Sequence, residues 1–304
     1  MTAPRFEGII PPLITPLKDR DTLDQDGLER LIEQMISGGV HGLFALGTTG
    51  EGPSLSYRLR TEVIQRVCKL VAGRIPVFIS VTDTAFVESV RLSGVACDAG
   101  ADAVVLATPY YFPPDQQELK KYVEHLVPEL ALPVMLYNMP SLTKVWFNIE
   151  TIQALSSLDR ILGIKDSSGD LDYFARLCAL KADRPDWAFL MGPEEMMIKS
   201  ISLGGHGGVN GGANVYPQLF VEAYYSAVSG NMARCDELQK KIEAFGKIYD
   251  FGVNSSRYIK ATKCAASILG LCDDFMAEPF IRFDLEDREK LRNILENMNL
   301  ESDG

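Results

Sequence analysis

The sequence predicts an α/β protein, a (β/α)8 TIM barrel with a C-terminal helical extension. Three observations predict it. Eight short apolar runs recur between residues 8 and 212. Amphipathic segments of helical period separate them, which is the signature of parallel strands covered on both faces. No GxGxxG follows the first run, as the runner-up, a doubly wound dinucleotide-binding sheet, would require.

The runs, in order, are GIIPPLIT (8–15), HGLFALG (41–47), IPVFISV (75–81), ADAVVLAT (101–108), LPVMLYN (132–138), ILGIK (161–165), WAFLMG (187–192) and GGHGGVNGG (204–212). Between them, Leu28, Leu31, Ile32, Met35 and Ile36 keep the 3.6-residue period, as do Val63, Val67, Leu70 and Val71. Asp26, Ser54 or Ser56, and Asp115 are the expected N-caps of the first, second and fourth helices. After residue 230 the pattern is helical only, so residues 1–230 read as the barrel and 231–304 as the extension.

Composition narrows the function. The chain has 304 residues, is 46% hydrophobic and carries a net charge of −11. That balance disfavours nucleic acid, which asks for a basic face. An acidic chain that handles an anion must supply positive field locally, from N–H groups, hydroxyls or one cation. The N-terminus reads as neither signal peptide nor anchor, and no run approaches the ~18 residues of a membrane span. The six cysteines show no CxxC pair, and most sit in helical-looking apolar stretches, which indicates buried thiols in a reducing cytoplasm. Three histidines without ligand spacing predict no catalytic metal and no cofactor.

Barrel chemistry gathers where strands end. Those ends read Gly47-Thr48-Thr49-Gly50-Glu51, Thr108-Pro109-Tyr110-Tyr111, Tyr137-Asn138-Met139-Pro140 and Lys165-Asp166-Ser167-Ser168. Alternation puts Ile161, Gly163 and Lys165 on one face, with Gly163 leaving room for the lysine stem, and turns Asp166 outward. A lysine aimed into an apolar barrel mouth is desolvated, which favours the neutral amine. A neutral amine attacks a carbonyl to give a Schiff base. Tyr137 can then shuttle the proton, Thr48 offers a hydroxyl that both donates and accepts, and Thr49 with its loop N–H groups can hold a carboxylate.

Other segments have plainer readings. Glu194 and Glu195 suit the start of a helix, where acids favour the dipole. Tyr110 suits a subunit interface, Glu51 suits a loop support, and the histidines suit structural roles. The glycines of 204–212 suit a strand better than a phosphate cradle. A phosphate-binding barrel isomerase would leave Lys165 and Tyr137 unexplained, and a non-catalytic ligand-binding barrel would be expected to have lost one of them.

Taken together, GTTGE (47–51), TPYY (108–111), YNMP (137–140), GIKDSSGD (163–170) and GGHGGVNGGANV (204–215) resemble the dihydrodipicolinate synthase/N-acetylneuraminate lyase family of pyruvate-dependent class I aldolases. The resemblance runs over roughly residues 6 to 300. It implies a Schiff base at Lys165, proton transfer by Tyr137, a relay through Thr48, and a pyruvyl carboxylate held by Thr49 and the backbone near Gly208 and Val209. It makes Tyr111 a residue given to a neighbouring subunit's site, hence a dimer or a homotetramer.

One position departs from the pattern. Dihydrodipicolinate synthases carry an arginine two residues after the proline of the strand-5 motif, and here that position is Leu142. Leucine cannot grip a carboxylate, and Lys144 stands at a different point of the loop. Neuraminate lyases have an apolar residue there and bind sugar hydroxyls with acids placed as Glu194 and Glu195 are, although they usually have serine where Thr48 stands. The expected substrates are therefore pyruvate and an uncharged or hydroxylated aldehyde, joined as a 2-keto-3-deoxy sugar acid. The alternative is 4-hydroxy-tetrahydrodipicolinate synthesis from pyruvate and aspartate semialdehyde.

Overall fold

Parallel pairing of all eight predicted runs is the central feature of the computed structural model, which describes residues 6–252 and 256–298. The strands are β1 (Gly8–Ile9), β2 (Leu43–Ala45), β3 (Val77–Ser80), β4 (Ala103–Ala107), β5 (Val134–Asn138), β6 (Ile161–Asp166), β7 (Ala188–Met191) and β8 (Gly207–Gly208). From β2 to β8 each pairs with the next in sequence, and β1 pairs with β8. A parallel bridge between Pro12 and Phe44 brings the first run against β2 and closes the cylinder. Phe44 N–H donates to the Pro11 carbonyl there, and Leu13 N–H to the Phe44 carbonyl, each at 2.9 Å.

Two apolar layers follow from strand alternation. Inside the barrel lie Phe44, Phe78, Val105, Met135, Tyr137, Leu190 and Val209. Between strands and helices lies the larger core, with Leu43, Ile79, Val104, Leu136, Ile164 and Phe189. The covering helices include α1 (Gln25–Ser37), α2 (Tyr57–Val71), α3 (Phe86–Ala99) and α4 (Gln116–Glu129). Ser56 caps α2 and Asp115 forms a capping box with Glu118 at α4, as expected. The first cap is Asp24 rather than Asp26. Its Oδ1 accepts from Gly27 N–H at 3.1 Å, and its Oδ2 from Asp273 N–H at 3.2 Å, so the earlier aspartate is pinned from both sides.

After α5 (Ile149–Leu155), α6 (Leu171–Ala179), α7 (Met197–Ser202) and α8 (Pro217–Val228), the chain continues through α9 (Met232–Gly246), α10 (Ser256–Ile268) and α11 (Leu285–Asn297). No helix among the described residues is long and apolar enough to cross a membrane.

Helix α10 is anchored to the GTTGE loop. Lys263, whose side chain is wholly buried, pairs with the equally buried Glu51, and its Nζ donates to the Phe275 carbonyl at 2.7 Å. Glu51 Oε2 accepts from Ala277 N–H at 2.8 Å. Two non-glycine residues with left-handed backbone, Leu46 (φ 59°) and Glu51 (φ 55°), bracket this loop. Such conformations persist where the surroundings over-determine them.

Removing one partner of a buried pair strands the other charge. Lys263→Met is therefore expected to lower stability by about 3–5 kcal/mol. Urea unfolding of the variant beside the parent checks this, and a loss below about 1 kcal/mol would mean that the pair is not what holds α10 to the loop.

Candidate active site

Strand β6 puts Lys165 inside the barrel, by a route that simple alternation does not describe. Val134 pairs with Ile161 and the next residue, Met135, pairs with Gly163, so Leu162 is an extra residue. The resulting bulge resets the alternation. Ile161 and Ile164 face the helices, whereas Leu162 packs against the interior. The expectation that Ile161 shares a face with Lys165 is thus corrected. Beyond the bulge, Lys165 is in register with Tyr137 on β5 and Leu190 on β7, both interior residues.

Gly163 also has a different reason from the one its position suggests. Its φ is +139°. A Cβ there would stand 2.0 Å from the Ala188 carbonyl oxygen. The glycine serves the close approach of β7 to the bulge.

Lys165 is 5% exposed. Its Nζ lies 4.1 Å from the centroid of the Tyr137 ring and 5.2 Å from that of Phe44. No ion pair among the described residues involves it. Asp166 turns outward, as expected, and accepts from Asn138 Nδ2 at 2.8 Å and from the Ser168 hydroxyl at 2.8 Å. Burial raises the Asp166 pKa. Asn138 Oδ1 in turn accepts from Phe147 N–H at 3.0 Å, so the ends of β5 and β6 are locked together behind the lysine.

The Tyr137 hydroxyl lies 3.5 Å from Thr48 Oγ1, at the long end of hydrogen-bond range. The N–H groups of Thr48 and Thr49 donate to no backbone carbonyl of the described residues. Both residues line the cleft above Lys165. The loop holding them is tight: a Cβ on Gly52 would stand 2.0 Å from the Leu46 carbonyl oxygen, and the Gly50 carbonyl accepts from Thr15 Oγ1 at 2.7 Å.

A cleft of about 560 Å³ opens above Lys165. It gathers Thr48, Thr49, Tyr137, Leu142, Glu194, Glu195 and Val209 around the lysine. Two expected residues stand apart. Gly208 is a paired strand residue beneath Val209 and is not on the cleft wall. Tyr111 is 73% exposed, its ring packed edge-on against the exposed Phe112 at 4.9 Å, away from the cleft of its own chain.

Glu194 and Glu195 separate in role. They open a short 3₁₀ turn, but Glu194 is buried and Glu195 is exposed. Burial pushes the Glu194 pKa up to about 7, against the opposing pull of the Gly212 N–H, which donates to Oε2 at 2.7 Å, and of the Tyr249 hydroxyl. Its Oε1 has no hydrogen-bond partner among the described residues. That oxygen is closed to solvent, so Glu194 bears on the cleft through its charge rather than by direct contact. Histidines play no such part. His206 Nδ1 accepts from Phe189 N–H at 3.1 Å, and burial takes its pKa down to about 4. His41 Nδ1 accepts from Ile9 N–H at 3.1 Å.

One wall of the cleft lies outside the barrel rim on which the sequence motifs fall. Arg257, Tyr258, Ile259 and Thr262 of α10, with Tyr249, line the same cleft. An amphipathic helix far along the chain carries no local mark of which turn will face a distant barrel mouth. The pair of Lys263 with Glu51 sets that orientation.

Known proteins resemble this chain over nearly its whole length. Residues 5–298 match the dihydrodipicolinate synthetase family. A 4-hydroxy-tetrahydrodipicolinate synthase of Methanothrix thermoacetophila is 32% identical over 294 residues, 97% of each chain. The structure of a dihydrodipicolinate synthase from Bacteroides thetaiotaomicron superposes with a TM-score of 0.94 at 49% identity, covering 98% of this chain and 100% of that one. YagE, a prophage protein of Escherichia coli K12 solved in complex with pyruvate, superposes with a TM-score of 0.92 at 28% identity, over 97% and 99% of the two chains. The chain belongs to the dihydrodipicolinate synthetase family, and it is an enzyme of the class I aldolase type, a lyase that works through a lysine Schiff base with pyruvate.

Proposed function

We propose that Lys165 is the Schiff-base lysine and that the cleft joins pyruvate to aspartate semialdehyde, as a 4-hydroxy-tetrahydrodipicolinate synthase. The observation that carries the first half is the register of β5 with β6. It sets a buried amine, with no carboxylate partner among the described residues, 4.1 Å from the ring of a tyrosine whose hydroxyl reaches Thr48. The amine lone pair attacks the C2 carbonyl of pyruvate, the carbonyl oxygen takes up a proton, and water leaves to give the iminium. Loss of a C3 proton yields the enamine, whose C3 attacks the aldehyde carbon. Tyr137, with Thr48 behind it, gives and takes the protons. The N–H groups of Thr48 and Thr49, with Val209 across the cleft, receive the pyruvyl carboxylate. Tyr111 serves the site of a second copy, which accounts for an aromatic pair left exposed away from the cleft of its own chain.

The names of the relatives support the second half over the 2-keto-3-deoxy sugar acid expected at first. One observation favours that other reading. Leu142 stands at the cleft wall, 37% exposed, where an arginine would grip the aldehyde's carboxylate, and Lys144 points elsewhere, its Nζ donating to the Ser141 carbonyl at 2.6 Å.

Three measurements test these assignments. Pyruvate with borohydride is expected to leave a reduced adduct on the peptide holding Lys165, and Lys165→Ala to abolish it; an adduct on another peptide sinks the assignment. Tyr137→Phe keeps the ring but removes the proton carrier, so turnover should fall by roughly 10²–10⁴-fold, and near-normal turnover would assign the proton to another group. Finally, the parent protein is expected to consume aspartate semialdehyde with pyruvate. If it turns over only 2-keto-3-deoxy acids, and Leu142→Arg raises the semialdehyde reaction roughly ten- to hundred-fold, the sugar-acid reading replaces the synthase.

A further inference from the structure

An anionic aldehyde needs a cation in the cleft, and the strand-5 motif does not provide one. The cleft wall carries two cationic side chains, Lys165 and Arg257. Lys165 is committed to the covalent step. Arg257 lies in the first turn of α10 and is half-buried. Its guanidinium lies 5.0 Å from the Tyr258 ring centroid, and Nη2 donates to the Tyr258 hydroxyl at 3.1 Å. Tyr258 packs on the buried Tyr249, with centroids 5.0 Å apart. Tyr249 is the ring whose hydroxyl bonds Glu194. A chain of contacts therefore runs from the cleft floor to Arg257 and holds the guanidinium in place. No carboxylate of the described residues forms an ion pair with Arg257.

The geometry points to Arg257 as the specificity residue that binds the carboxylate of the second substrate, in place of the residue that Leu142 lacks. This rests on the reading of Lys165 as the pyruvate lysine. A guanidinium presents a planar fork of donors that matches a carboxylate, and one already stacked on an aromatic ring loses less freedom when it binds. The ligand class follows: a short aldehyde with a carboxylate at the end remote from the reacting carbon. Glu194 on the same wall does not oppose such an anion at full charge, since burial keeps part of it protonated near neutral pH. The leucine at 142 then serves as an apolar wall for the aldehyde's carbon chain.

The test compares two four-carbon aldehydes, succinic semialdehyde with a carboxylate and butanal without, at saturating pyruvate, in the parent, Arg257→Gln and Arg257→Lys. Borohydride trapping of pyruvate is run alongside on all three. The parent is expected to prefer succinic semialdehyde. Arg257→Gln is expected to lower kcat/KM for it roughly ten- to hundred-fold, mostly through KM, while butanal, the KM for pyruvate and the trapping yield stay as in the parent. Arg257→Lys, which keeps the charge but loses the fork, should fall between. Equal losses on both aldehydes, a raised KM for pyruvate, no preference in the parent, or no change in either variant each overturn the assignment. Normal trapping beside any of those results leaves the Schiff-base reading standing, whereas absence of trapping in the parent removes that reading and this one with it.

Discussion

The buried pair of Glu51 with Lys263 is the constraint on which the site depends. Taking two charges out of water is costly, and the cost is offset only where geometry and further hydrogen bonds are good. Here Glu51 also receives the Ala277 N–H and Lys263 also reaches the Phe275 carbonyl. The pair therefore joins three segments: the loop after β2, helix α10 and the chain that follows it. The loop is the one whose Thr48 and Thr49 line the cleft, with N–H groups that donate to no backbone carbonyl of the described residues. A loop held in left-handed backbone at both ends would relax to satisfy those groups if nothing fixed it. The same pair turns α10 so that Arg257 and Thr262 face the cleft rather than solvent. One interaction thus sets both the pyruvate end and the opposite wall.

The second constraint is the register at β6. A single bulge at Leu162 decides which side chains enter the barrel, and the glycine after it permits β7 to come close. Were Leu162 instead to take its turn in a regular alternation from Ile161, Lys165 would fall on the helix side, where an amine would be buried with no substrate to meet. The outward Asp166 then acts at a distance from the amine. Through Asn138 it ties β6 to β5 and so preserves the pairing of Lys165 with Tyr137.

Much of this was legible in the sequence, and the limits have physical causes. The eight strands were readable because each is a continuous apolar run between helical patterns, and parallel strands buried on both faces must look like that. Lys165, Tyr137, Thr48 and Thr49 were readable because strand ends in a barrel meet on one rim. The bulge was not readable: ILGIK fits regular alternation as well as it fits a reset one, and only the partner strands decide. Gly163 shows the same limit, since a glycine beside a lysine suggests space for a side chain, whereas backbone approach is its reason. Glu194 and Glu195 look alike in sequence, yet one is sealed under Tyr249 and the other faces solvent. Arg257 lay outside the barrel motifs altogether, on a helix whose orientation is set by a contact more than two hundred residues away in the chain.

The charge balance of the chain makes sense in these terms. With a net charge of −11, the protein's overall field repels anions such as pyruvate at long range. That field is screened within about 8–10 Å at ordinary ionic strength, so binding is decided by groups inside that distance. N–H groups are suited to this, because they carry no net charge and lose no ordering energy when the ligand arrives. A fixed guanidinium adds one full charge where the loop N–H groups cannot reach. Glu194 completes the arrangement in the opposite sense. Its burial holds part of its population neutral near pH 7, so the wall it shares with Arg257 becomes more hospitable to an anion as pH falls through that value and less so as pH rises. An acidic protein can in this way keep a surface charge that favours solubility while this cleft remains open to negatively charged substrates.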